Sequence, residues 1–195
     1  MYRVYHVVDV VRIPPEYFEL PIKEAAKKVL RRKYEGVVDR ELGFILAVYN
    51  VEVEEEGKII PGDGATYHIA RFDILAFTPI LKEVVEGEVV EVTDFGIFVN
   101  LGPFDGLIHR SQILDDRMLY DSRRGAYMGQ ETKRIIEKGD IVRARIVTIS
   151  TSSSNRIIRI ALTMRQPFLG KLEWIQEDLE RIYGEKEEKK KAKKK

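Results

Sequence analysis

The first stretch, residues 2–13, is dense in Val and Tyr and predicts a β-strand. Pro14-Pro15 closes it, because proline cannot donate to a sheet ladder. The period then changes. Ile22, Ala25, Ala26, Val29 and Leu30 fall at the spacing of one helical stripe, with Lys23, Lys27 and Arg31 on the remaining surface. Pro21 stands at the helix opening, where its missing N–H is harmless, and Gly36 offers a C-terminal cap. After Val37-Val38, the run from Gly43 to Val53 predicts another strand, stopped by Glu54-Glu55-Glu56-Gly57. Residues 58–64 form a glycine-containing loop, and Ala65 to Phe77 a further strand, closed by Pro79. Strand, helix and then about three strands predict a small α+β domain over residues 1–81, with the helix on one sheet face.

Beyond residue 82 the pattern is that of strands. Val89 and Val92, then Ile97, Val99 and Leu101, suit a pleated, half-buried surface, and Gly96 permits a bend or bulge between them. Gly102-Pro103 turns the chain and Gly106 restarts it into Leu107-Ile108. Residues 114–138 read as a long insertion, and Ser150 to Asn155 as a polar hairpin tip. Past Gly170, Leu172, Ile175, Leu179 and Ile182 recur at helical spacing beside Trp174, which predicts a short amphipathic helix ending at Gly184. Residues 185–195 are Lys and Glu except for Ala192, and a tail of this kind is expected to stay disordered. The division expected is therefore 1–81, 82–170 and 171–195.

Composition narrows the function classes. Of 195 residues 44% are hydrophobic and 33% charged, enough for a core under a highly charged surface. No apolar run reaches the roughly 18 residues of a membrane span, and Arg12 and the proline pair interrupt any secretory pattern, so neither membrane nor export is expected. The absence of cysteine excludes disulfides and thiolate metal sites and fits a cytoplasmic chain; with dense Lys, Arg and Glu it also suits a thermophile. Three histidines lie far apart, so no metal and no cofactor is expected. The net charge of +1 conceals an asymmetry. Residues 84–105 hold five acids and no Lys or Arg, whereas 106–170 hold twelve basic side chains against six acidic ones, and the last eleven residues hold seven Lys against three Glu. Basic clusters of this kind favour phosphate backbones without reading sequence.

Five blocks carry a more specific signal: Gly87-Glu88-Val89, Asp94 to Val99, Gly106 to Ser111, Gly139-Asp140-Ile141-Val142, and Arg159-Ile160-Ala161-Leu162-Thr163. In this order they resemble the S1 RNA-binding domain, a variety of OB-fold barrel. Aromatic side chains on the open face of such a barrel can stack unpaired bases, since every base has a flat π-face. The candidate RNA-binding set is Phe95, Phe98, His109, Arg110, Arg143, Arg145 and Arg159. Within the insertion, Arg117, Tyr120, Arg123, Arg124 and Lys133 can hold backbone and bases, or can lie on a surface excursion packed against the barrel or a partner. S1 domains often carry an Asp near the RNA face where Ser150 stands here, which implies little base preference.

The chain as a whole, over about residues 1–183, is similar to the E-prime family of archaeal RNA polymerase stalk proteins, counterparts of the seventh subunit of nuclear RNA polymerase II. The resemblance is carried by Pro61 to His68, by Asp115-Asp116 with Arg123-Arg124-Gly125, and by Ala161 to Gly170. It implies a truncated RNP-like domain followed by an S1 barrel, in a stalk component that pairs with a small helical partner, the F polypeptide of the polymerase. The resemblance further implies docking on the large polymerase subunits through the tip at Pro61, Gly62, Asp63 and Gly64, and capture of nascent single-stranded RNA by the barrel. Another S1-type protein, belonging to an exosome cap or a translation factor, is the alternative. A nuclease would have to use Asp115, Asp116 and Asp121; adjacent residues on a strand point to opposite faces, and no motif adds a third carboxylate. His109 has no Ser or Cys partner in a nucleophile motif. No catalytic residue is therefore assigned, and nucleotidyl transfer would belong to the large subunits.

Overall fold

The computed structural model describes the backbone of residues 1–152 and 157–192 and the side chains of residues 1–151 and 157–184. It divides into two units, residues 1–79 with 151–158, and residues 80–150 with 159–195.

The first unit is built on five strands, β1 (Tyr2–Ile13), β2 (Val38–Asp39), β3 (Gly43–Val53), β4 (Lys58–Ile59) and β5 (Thr66–Phe77), with the helix α1 (Ile22–Tyr34). The sheet runs β1-β5-β3-β2, with β4 also paired to β5. β1 and β5 pair without interruption from Tyr2↔Phe77 to Ile13↔Thr66. Helix α1 starts behind Pro21, whose carbonyl accepts from the N–H groups of Glu24 and Ala25, and ends before Gly36, held at φ +75°. Arg31, Arg32 and Lys33 in its last turn complement the negative end of the helix dipole. The stripe expected from the sequence is the one buried: Ala25, Ala26 and Leu30 pack with Ile45, Val48, Phe72 and Ile74 of the sheet, and Ile22 and Val29 flank them. Asp9 of β1 ties the helix down, accepting from Lys33 Nζ at 2.6 Å and Tyr34 Oη at 2.5 Å.

The second unit contains most of a closed barrel of β6 (Val84–Val92), β7 (Gly96–Asn100), β8 (Asp105–His109), β12 (Ile141–Ser152) and β13 (Ile157–Thr163), the adjoining ends of β12 and β13 being counted with the first unit. The order is β13-β8-β7-β6-β12, and β12 pairs back to β13. β8 and β13 run parallel, whereas β6–β7, β7–β8 and β6–β12 are antiparallel. Val89, Ile97, Val99, Ile108, Val142, Ile146, Ile160 and Leu162 fill the interior. A short strand β14 (Gly170–Lys171) flanks β12. The polar hairpin tip expected at Ser150–Asn155 falls largely outside the described residues.

The structure adds to one reading and changes another. The insertion is a three-stranded antiparallel sheet, β9 (Met118–Asp121), β10 (Ala126–Gly129) and β11 (Ile135–Glu137), in the order β11-β10-β9. Strands of three or four residues are too short to show a period. The last helix, α2 (Leu172–Ala192), continues through Gly184, where the sequence places its end. A helical Gly costs only about 1 kcal/mol, and Lys and Glu are good helix formers. Residues 193–195 of the expected tail are not among those described. Arg134 of the insertion fastens α2, giving a bidentate pair to Asp178 at 2.6 and 3.2 Å and lying 5.6 Å over the Trp174 ring.

β7 lies very close to both neighbours. A Cβ at Gly96 would stand 2.3 Å from the Ile108 carbonyl oxygen, and one at Gly87 would stand 2.2 Å from that of Asn100. Gly96→Ala is therefore expected to force β7 from β8 and to lower unfolding free energy by about 1–3 kcal/mol, measured by denaturant titration. An unchanged midpoint would show that the strands have room to separate.

Candidate nucleic-acid interface

On β7 the side chains alternate across the barrel wall. Ile97 and Val99 point inward, so Phe98 between them faces out. It stands opposite Glu91 of β6 on one side and Leu107 of β8 on the other, and Ala161 of β13 stands beside Leu107. Phe95, in the turn before β7, is 45% exposed and meets Phe98 edge-on, with ring centroids 6.0 Å apart and planes at 90°. His109 is paired with Gly96 across the strands. Its Nδ1 accepts from the Ser111 N–H at 3.3 Å and lies 2.8 Å from the Ser111 hydroxyl, which leaves the Nε2 side of the ring for solvent. The N–H of Arg110 donates to the Phe95 carbonyl at 2.9 Å and so fastens the aromatic turn to the end of β8. Arg159, exposed between buried Ile158 and Ile160, faces outward on β13, level with Asp105 in the parallel register. Phe95, Phe98, His109 and Arg110 thus share one end of the β7–β8 face, and Arg159 stands at its other end.

Arg143 and Arg145 do not join them. Both lie on β12, which pairs with β6 and not with β7 or β8. Arg143 donates to Glu86 at 2.7 Å, directly across from it, and the Nε of Arg145 is buried with no hydrogen-bond partner among the described residues. A closed barrel has several outer faces, and these two candidates stand on a different one.

The insertion residues also separate. Arg123 and Arg124 sit at the tip of the β9–β10 hairpin, where the Asp121 carboxylate accepts from both their N–H groups. Lys133 is in the turn before β11, its ammonium donating to the Gln130 carbonyl at 2.7 Å. Arg117 and Tyr120, by contrast, line a groove with Arg110, Ser111, Asp116, Met118 and Leu119, between β9 and the helical turn Arg110–Gln112 that follows β8. Tyr120 rests against buried Tyr127, its partner across the strands, with centroids 5.4 Å apart. Burial pushes the Tyr127 hydroxyl pKa up, and the charges of Arg110 and Asp94 both reach that hydroxyl.

The carboxylates considered for a nuclease are engaged separately. Asp115 pairs with Arg165. Asp116 accepts from the Thr132 N–H at 3.0 Å, the Thr132 hydroxyl at 2.8 Å and the Glu131 N–H, and these bonds, the Thr132 N–H first, hold its carboxyl below the usual range. Asp121 caps the hairpin turn described above.

In the first unit, the Pro61–Gly64 tip is braced by Asp63. Arg12 donates to its two oxygens at 2.6 and 2.8 Å, Tyr67 Oη at 2.5 Å and the Ala65 N–H at 3.2 Å. Gly62, at φ +88°, makes the turn that lets the Asp63 N–H reach the Ile60 carbonyl. The braced loop carries Ile59 and Ile60 on the outside, 73% and 49% exposed. Neither stood among the candidate residues, although two β-branched residues before Pro-Gly in a polar loop are a legible sign.

Comparison with known proteins covers both units. A family model described as the SHS2 domain found in the N terminus of Rpb7p/Rpc25p/MJ0397 matches residues 8–64, and the S1 RNA binding domain model matches residues 78–158. Along its length the chain is 50% identical over 175 residues to the DNA-directed RNA polymerase subunit Rpo7 of Saccharolobus shibatae, covering 90% of this chain and 97% of the other. It is 50% identical over 179 residues to Rpo7 of Sulfolobus acidocaldarius, covering 92% and 97%. It is 29% identical over 166 residues to the RNA polymerase II subunit rpb7 of Schizosaccharomyces pombe, covering 83% and 94%.

The brace has a pH signature. The Arg12 guanidinium, and after it the Tyr67 hydroxyl, hold the Asp63 carboxyl far below its ordinary value of 3.8. A depressed folded-state pKa adds stability that is complete above the unfolded value and lost as pH falls through the folded one. Acid titration of the chain should therefore show less loss of stability below about pH 4 in Asp63→Asn than in the parent. Parallel curves would mean that the brace does not survive in solution.

Proposed function

The chain belongs to the Rpo7 family of DNA-directed RNA polymerase subunits, and on that footing we propose that it is a non-catalytic stalk subunit that anchors by its first unit and holds nascent single-stranded RNA on its S1 barrel. The carrying observation is the match to Rpo7 across 90% of this chain and 97% of the relative, with an Rpb7-type N-terminal domain in front of the barrel. The exosome-cap and translation-factor alternative gives way to that domain order.

The chemistry divides accordingly. Phe95 and Phe98 offer ring surfaces to bases, His109 offers an N–H, and Arg110 and Arg159 bracket the face with positive charge. Binding of this type is salt-sensitive and tolerant of sequence, because stacking and phosphate attraction are common to every nucleotide. Nucleotidyl transfer is assigned to other subunits; this chain contributes grip on the product. The braced tip, with Ile59, Ile60 and Pro61 exposed, suits insertion into an apolar recess of the large polymerase subunits. The remaining partner is the small helical stalk protein, the F polypeptide, and the location is the cytoplasm, where the polymerase works.

Two measurements test this reading. A tagged chain expressed in an archaeal host should recover the large polymerase subunits and one small helical protein, and a tip variant Ile60→Asp should keep the small protein and lose the large ones; recovery of an exosome or ribosome instead would reject the stalk assignment. In a gel-shift assay, replacing Phe95 and Phe98 by Ala should weaken RNA binding by about 1–3 kcal/mol per lost stack. Equal affinity in the double variant would return both rings to a packing role.

A further inference from the structure

The groove between β9 and the helical turn after β8 lies next to the aromatic face. Arg110 belongs to both: its N–H holds the Phe95 carbonyl, and the residue lines the groove with Arg117 and Tyr120. Neither guanidinium has an ion pair or hydrogen bond among the described residues; two of the nearby acids are taken, and the third, Asp94, whose charge reaches the same Tyr127 hydroxyl as that of Arg110, forms no ion pair with either arginine. Asp115 is paired with Arg165, and Asp116, although it lines the groove, has its oxygens engaged by two backbone N–H groups and a hydroxyl. Two guanidiniums left without carboxylate partners in one recess favour a bound anion, and the planar Arg fork matches phosphate oxygens. Tyr120 adds a half-exposed ring, braced from behind by Tyr127, at the same recess. A phosphate site beside a stacking ring, continuous with two more rings, fits a polynucleotide better than a free anion.

We propose that this groove is a second segment of the single-stranded RNA site, in which Arg110 and Arg117 hold a backbone phosphate and Tyr120 stacks the adjoining base of a strand leaving the Phe95–Phe98 face. The inference rests on the RNA-binding reading above and adds a direction of travel: the strand crosses from the barrel at Arg110 onto the insertion. Arg123, Arg124 and Lys133 lie outside that path. The insertion thereby lengthens the site beyond what five barrel strands can offer.

The test compares oligouridylates of about four and about sixteen nucleotides, the limits of what one OB-fold occupies, on the full-length chain by fluorescence anisotropy. Arg117→Gln should bind the long oligomer roughly tenfold more weakly and the short one as the parent does. For the long oligomer its slope of log affinity against log salt should become shallower by about 0.7, the value for one phosphate on a single strand. Tyr120→Phe should match the parent and Tyr120→Ala should lose the long-oligomer advantage, with thermal melting used to confirm that each variant is folded. If Arg117→Gln weakens both lengths equally or neither, the groove is not a separate segment and the proposal fails. If the parent binds neither oligomer at low salt, the RNA reading fails with it; loss on Phe95→Ala with no length effect in Arg117→Gln keeps the first reading and removes the second.

Discussion

The outer face of the barrel depends on two places where a strand can approach only because a side chain is missing. β7 is drawn against β8 at Gly96 and against β6 at Gly87, to distances at which a Cβ would overlap a carbonyl oxygen on each side. These approaches fix register, and in a sheet register is parity: a slip of one residue would put Ile97 and Val99 in water and Phe98 inside. The same register sets Gly96 opposite His109 and brings the Arg110 N–H to the Phe95 carbonyl. The positions of the aromatic pair, the imidazole and the first arginine follow from backbone proximity before any side-chain contact is considered.

The two units use charge in opposite ways. In the first, charge is spent internally. Asp63 is surrounded by Arg12, Tyr67 and the Ala65 N–H, and Asp9 by Lys33 and Tyr34, so that carboxylates serve as rivets for a tip loop and a helix. In the second, several acids are neutralised by local partners, Asp115 by Arg165, Asp140 by Lys171 and Asp178 by Arg134, while Arg110, Arg117 and Arg159 have no such partner among the described residues. The excess of basic residues counted along 106–170 therefore becomes a localised field, smaller than the count implies but placed beside the aromatic rings.

Much of this was legible in the chain itself. β1, α1, β3 and β5 are long enough for their hydrophobic period to show, and the ordered S1 blocks carried the barrel and its outward aromatics. Three things were not legible, each for a physical reason. Alternation shows that Arg143 and Arg145 point outward from β12, but which outer face they occupy depends on pairing across more than fifty residues, and Arg143 meets Glu86 only through that pairing. The insertion strands are shorter than the windows in which a period can be detected. Helix α2 passes a glycine that reads as a stop, because a stretch of good helix formers on both sides outweighs one unfavourable residue.

The perpendicular setting of Phe95 and Phe98 has a consequence for ligand shape. Two bases lying flat on these two rings cannot lie flat on each other, since their supports differ by a right angle. A nucleic acid whose neighbouring bases remain in a continuous helical column, whether duplex or a stacked single strand, can satisfy one ring but not both. Selectivity for a limp, splayed transcript over an ordered hairpin would then need no reading of base edges; it is contained in the dihedral angle between two phenyl planes.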